Sequence, residues 1–165
     1  MADPMRMIVV GLGRGKSHIR TLTALPEQFE LVGVVDLNAE LLNGVLEEFS
    51  LPEGLGFTSY DEALDNTSCD GVVIATWART HEPLVEQALL ADKHLLVEKP
   101  FVLELDPAKR LLELAQRRDR KIVVNQQWRY MPAQRTVRRL MSEGAYGEAQ
   151  CAHFFGYKAR GSEYP

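Results

Sequence analysis

Residues 5–22 read MRMIVVGLGRGKSHIRTL, and this stretch decides the fold. Met5 to Val10 is a short apolar run of strand length. It passes without a linker into Gly11-Leu12-Gly13-Arg14-Gly15, after which Ile19, Leu22 and Leu25 recur at helical spacing up to Pro26. A strand, a glycine turn and a helix in immediate succession bring backbone N–H groups and the positive helix end together, which suits an anion. Gly11 permits the tight turn and Gly13 lets the backbone approach a pyrophosphate. The usual third glycine falls at position 16, which is Lys16, with Gly15 one residue early. The loop alone therefore fits an incidental glycine turn as well as a dinucleotide site.

Outward from this stretch, the same alternation repeats. Leu31 to Val35 is a second β-branched run, closed by Asp36, 25 residues after Gly11. A carboxylate at that strand end can accept both ribose hydroxyls of an adenosine and would repel a 2′-phosphate, whereas a solvated turn residue is the plainer alternative. Leu37 and Asn38 add no cation, so the pattern favours NAD, while Arg14 and Lys16 keep NADP possible. Asn38 caps a helix with Leu41, Leu42, Val45, Leu46 and Phe49 on one stripe. Phe57-Thr58 makes a short strand before a small helix. GVVIAT (71–76) is the clearest buried strand, followed by a helix with Pro83 in its first turn. Leu95–Val97 and Ile122–Val124 are further strands. Asp106-Pro107 opens one helix, and Pro132 opens another that Gly144 ends. Continuously apolar strands separated by helices mean an α/β fold: a doubly wound parallel sheet, the Rossmann fold.

Glu98-Lys99-Pro100 follows a buried strand and so faces the ligand crevice of such a sheet. There Lys99 can exchange a proton with a substrate oxygen while hydride moves at the adjacent carbon. A solvated Glu–Lys pair is the bland reading of the same tripeptide.

The 165 residues are 45% hydrophobic and 25% charged, with a net charge of −4, which gives no reason to expect nucleic acid or an anionic membrane. Arg117, Arg118, Arg120 and Lys121 read as a solvated helix end. Cys69 and Cys151 stand far apart, with no His or Cys at metal-ligand spacing, so neither disulfides nor zinc are expected. No signal pattern or membrane-spanning run is present, and a cytoplasmic protein is expected.

In order and spacing, GLGRG with Asp36, Ala75-Thr76 with His81, Glu98-Lys99-Pro100, and Gln127-Trp128-Arg129-Tyr130 resemble the N-terminal domain of the glucose–fructose oxidoreductase / inositol 2-dehydrogenase / rhizopine catabolism (Gfo/Idh/MocA) family, over roughly residues 5 to 157. The resemblance implies an NAD(P)-dependent oxidoreductase acting on a sugar, polyol or related hydroxy or keto compound. It implies that Gly11, Gly13, Arg14, Gly15 and Asp36 bind the cofactor, with Thr76, Trp77 and His81 along the dinucleotide. The family commonly has Pro where Trp77 stands, and helix capping competes with cofactor contact for His81. Glu98 and Gln127 match nicotinamide-side positions and Lys99 the catalytic lysine. Arg129 matches a substrate-side position, with Tyr130 beside it; packing at a domain junction is the competing role for both. No metal is implied.

Residues 1–144 are thus expected to form the dinucleotide-binding domain. Residues 145–165 are expected to open a truncated α+β domain, of which Glu148–Tyr157 is the first strand, with His153 a strand residue and a homo-oligomer possible through it. A non-catalytic dinucleotide-binding module, or an inactive fragment of the enzyme, are the rival readings.

Overall fold

The computed structural model describes residues 3–148 together with Gln150, Cys151 and His153. Six strands form one sheet: β1 (Met5–Val10), β2 (Phe29–Val35), β3 (Gly56–Phe57), β4 (Gly71–Ile74), β5 (His94–Val97) and β6 (Ile122–Val124). Their order is β3-β2-β1-β4-β5-β6 and every pairing is parallel. The helices between them are α1 (Leu12–Thr23), α2 (Ala39–Glu48), α3 (Tyr60–Asn66), α4 (Ala78–Leu90) and α5 (Leu105–Arg117). The order reverses between β1 and β4, and the crevice of a doubly wound sheet opens there.

The side-chain period of two divides the core. From β1, Met7 and Val9 face α1 and α2, where they meet Leu12, Ile19, Leu22, Val45 and Val73. Ile8 and Val10 face the opposite layer, with Tyr60, Val85, Leu89 and Leu111. Both faces of the central strands are covered, which is why those strands read as unbroken apolar runs rather than alternating ones.

Two elements differ from the sequence reading. The third strand is Gly56–Phe57, one residue earlier than expected, and pairs only with Val34 and Val35. Pro83 is the sixth residue of α4 rather than part of its first turn, because the helix starts at Ala78, immediately after the β4 corner. Pro83 therefore removes a bond to the Arg79 carbonyl inside the helix. Asn38 caps α2 as expected, accepting from the N–H groups of Glu40 and Leu41 at 3.0 and 3.1 Å.

The chain divides into two compact units, residues 1–126 and 127–165. Within the second, a 3₁₀ turn at Gln127–Tyr130 precedes α6 (Pro132–Ser142). Gly144, at φ +72°, ends α6; Gly144 N–H donates to Met141 and Ala145 N–H to Leu140, a Schellman closure. Of the expected strand at 148–157, Glu148, Gln150, Cys151 and His153 carry no regular structure, and the rest, including Phe154, Phe155 and Tyr157, lies outside the described residues.

Candidate active site

A crevice of about 670 Å³ opens at the carboxyl ends of β1, β2 and β4. Its floor is the glycine loop, where each glycine has a different reason to be there. Gly11 has φ +88°, and a Cβ on it would lie 2.7 Å from Thr76 Cγ2 and 2.8 Å from the Thr76 backbone nitrogen. The ends of β1 and β4 can close on each other only across a glycine. Gly13 lines the crevice and has nothing within 4 Å of its missing Cβ, so a ligand backbone can come down onto it. Gly15 is buried, its missing Cβ 2.8 Å from Val9 Cγ1, which seats α1 on β1. Gly15, one residue before the usual third glycine, is thus the glycine that lets helix and strand pack closely. Lys16 does not shift the helix start: its ammonium pairs with Glu48 on α2, away from the loop.

Asp36 stands at the head of β2. Its Oδ2 accepts from Leu12 N–H at 2.8 Å and its Oδ1 from Asn38 N–H at 2.9 Å. One oxygen is thereby tied to the first turn of α1, and each still has a lone pair for a hydroxyl donor. Leu37, 89% exposed, and Trp77, 68% exposed, line the crevice with it. Trp77 is the residue that precedes α4, and no side chain caps that helix. Thr76 lines the crevice and accepts from the Thr80 hydroxyl at 2.8 Å.

His81 turns towards backbone carbonyls in the interior. It is completely buried and does not line the crevice; Nδ1 lies 2.8 Å from the Pro100 carbonyl and Nε2 3.2 Å from that of Thr76. It ties the β4–α4 corner to the segment just after Lys99, whose peptide bond to Pro100 is cis.

Glu98 is 4% exposed and Lys99 is exposed at the head of β5. The buried carboxylate is well supplied with donors: Asn125 Nδ2 at 2.7 Å, His18 Nε2 at 3.0 Å and Arg14 Nε at 3.6 Å, all to Oε1. Burial by itself pushes this carboxyl up, but the Asn125 and His18 hydrogen bonds and the charges of His18 and Arg14 outweigh it, and the net shift is downward. Glu98 and Lys99 do not line the crevice themselves; Arg14 does, and so joins the two groups.

His18 and Asn125 escaped the sequence reading. Both left a signal. His18 lies four residues after Arg14 on α1, hence on the same helical face. Asn125 directly follows an apolar strand, the same kind of position as Asp36 and Glu98. Gln127 and Arg129 lie on the 3₁₀ turn of the second unit, both exposed. Among the described residues, no three His, Cys, Asp or Glu side chains are grouped to hold a metal, and no helix is long and apolar enough to cross a membrane.

Residues 5–126 match the model of an oxidoreductase family described as having an NAD-binding Rossmann fold. Inositol 2-dehydrogenase 3 of Saccharopolyspora erythraea is 29% identical over 154 residues, which cover 90% of this chain and 44% of that protein. An uncharacterized oxidoreductase of Schizosaccharomyces pombe is 29% identical over 147 residues, covering 88% of this chain and 40% of the relative. The chain thus spans less than half the length of these relatives. Among solved structures, GenD2 from gentamicin A biosynthesis, in complex with NAD, superposes with a TM-score of 0.80 at 32% identity, covering 88% of this chain and 41% of the other. The UDP-N-acetylglucosamine 3-dehydrogenase GnnA of Acidithiobacillus ferrooxidans gives 0.74 at 34% identity, covering 84% and 44%. With the glycine loop, Asp36 and the Glu98-Lys99-Pro100 corner all at the carboxyl end of one parallel sheet, the chain belongs to the Gfo/Idh/MocA oxidoreductase family and carries its NAD-binding Rossmann fold.

Proposed function

We propose that the protein is an NAD-dependent dehydrogenase that oxidises a secondary hydroxyl of a sugar, polyol or related compound, and reduces the corresponding ketone in reverse. The observation that carries this reading is the pairing of a crevice over the glycine loop and Asp36 with an exposed lysine at the head of the neighbouring strand, joined through Arg14 and Glu98. The crevice fits the cofactor. Gly13 leaves open the space a Cβ would fill, α1 presents its first-turn amides, and Asp36 keeps lone pairs free for a ribose diol. Bound there, NAD supplies the hydride acceptor. Asp36 repels a 2′-phosphate, and Arg14, the one cation among the described residues that lines the crevice, is paired with Glu98. Lys99 Nζ takes the proton of the substrate hydroxyl as the carbon beside it is oxidised. By the family resemblance, Gln127 is assigned to the nicotinamide side and Arg129 to the substrate side, and residues from 145 onward to the start of a second domain. The relatives named inositol 2-dehydrogenase and UDP-N-acetylglucosamine 3-dehydrogenase support a polyol or sugar substrate.

The test is NADH formation by the full-length protein, followed at 340 nm (the absorbance of the reduced nicotinamide), against a panel of inositols, sugars and nucleotide sugars. Turnover of at least one with NAD preferred over NADP is expected. A protein that binds NAD but turns over none of the panel would reduce the reading to a binding module.

A further inference from the structure

We propose that His18 and Asn125 are positioning residues: from α1 and from the end of β6 they clamp the Glu98 carboxylate, and through it they fix where Lys99 leaves the head of β5. The proposal rests on the dehydrogenase reading of Lys99.

Glu98 is buried where a carboxylate without partners would be costly. Its two oxygens are used very differently. Oε1 collects the Asn125 amide, the His18 ring and the Arg14 guanidinium, at 2.7, 3.0 and 3.6 Å. Among the described residues, Oε2 accepts from the backbone N–H of Lys99 alone, at 3.3 Å. The backbone of Glu98 is itself pinned, its N–H donating to Ile74 at the end of β4. The carboxylate is thus a strut. One end is held by two elements that flank the sheet end, and the other holds the peptide that carries Lys99.

Geometry also settles the donor on His18. An ionised Glu98 offers only acceptors, so His18 carries its proton on Nε2. The charged and titratable groups facing Glu98 are Arg14 and His18 from α1 and its own neighbour Lys99; β6 contributes the neutral Asn125. Arg14 is 59% exposed and also lines the crevice, so it cannot serve as a fixed anchor in the way the two more enclosed donors, His18 and Asn125, can. A strut that slackens lets Lys99 move, and misplacement of an acid/base group by about 1 Å costs on the order of 10²-fold in rate.

The experiment uses four variants of the full-length protein: His18→Leu, His18→Gln, Asn125→Ala and Glu98→Gln. Gln places an amide nitrogen where His has Nε2 and so retains a donor. Two readouts are taken: the pH profile of kcat, and the titration of the Glu98 carboxyl followed by its ¹³C shift and assigned by its loss in Glu98→Gln. Removing a donor leaves burial less opposed, so the Glu98 carboxyl rises in His18→Leu and Asn125→Ala. kcat falls in both across the pH range. The expected loss in kcat is on the order of tenfold with little change in KM for NAD, and His18→Gln recovers most of it. An unmoved carboxyl titration in both His18→Leu and Asn125→Ala would overturn the clamp, as would a His18→Gln protein as impaired as His18→Leu. If the wild type turns over no substrate, the dehydrogenase reading fails while the carboxyl titration still decides the clamp.

Discussion

In the proposed reading, Asp36 serves binding and Lys99 turnover, and each role can be tested alone. Asp36 is held by the Leu12 and Asn38 amides, so its carboxylate is fixed before any ribose arrives. Asp36→Ala should weaken NAD binding and narrow the gap to NADP, because the hydroxyl acceptor and the like-charge repulsion disappear together. Equilibrium titration of both cofactors checks this; a wild type that prefers NADP would refute the role. Lys99 is exposed and stands outside the crevice lining, so Lys99→Ala should leave NAD affinity nearly unchanged. In the full-length protein kcat should fall by ~10²–10⁴, the range for a positioned acid or base. Near-normal turnover in that variant removes Lys99 from the mechanism.

At the scale of the element, the β1–α1 corner makes a prediction whose sign changes from one glycine to the next. Gly11→Ala meets both a positive φ and the backbone of Thr76, and should cost on the order of 2–3 kcal/mol of stability. Gly15→Ala presses a methyl into Val9, an overpacking worth ~1–3 kcal/mol. Gly13→Ala meets nothing and replaces a helical glycine, so it should be neutral or stabilising by up to ~1 kcal/mol while NAD affinity drops. Urea denaturation and NAD titration on the three variants separate these cases. Equal destabilisation at all three positions would mean that the loop's glycines serve packing alone. Only the position-by-position environment makes the difference; as letters, the three glycines look alike.

For the molecule as a whole, the crevice joins β1, β2 and β4, so a ligand there links elements far apart in the chain. NAD at ~100 times its Kd should stabilise the sheet-bearing unit by about 2.7 kcal/mol. NADP at the same concentration should stabilise it less. Thermal unfolding with each cofactor measures this, with a rise in Tm of several degrees expected for NAD. Equal shifts with both cofactors would count against Asp36 as the selecting residue.

Local physics alone determined much of this protein. Apolar runs at 7–10 and 71–74 demanded strands covered on both faces, the cap at Asn38 and the stop at Gly144 followed from side-chain and φ requirements, and glycines between strand and helix demanded a turn. These depend on neighbours in sequence, so they are legible there. Pro83 was misplaced because the start of α4 depends on where β4 ends in the sheet. Lys16 drawn to Glu48, His81 bonded to the Pro100 carbonyl, and the strut of His18, Glu98 and Asn125 all join positions distant in sequence. Such pairings have no local periodicity to betray them. They exist because a parallel sheet brings the carboxyl ends of all its strands to one edge, where buried polar groups must find their partners from whichever element lies nearest.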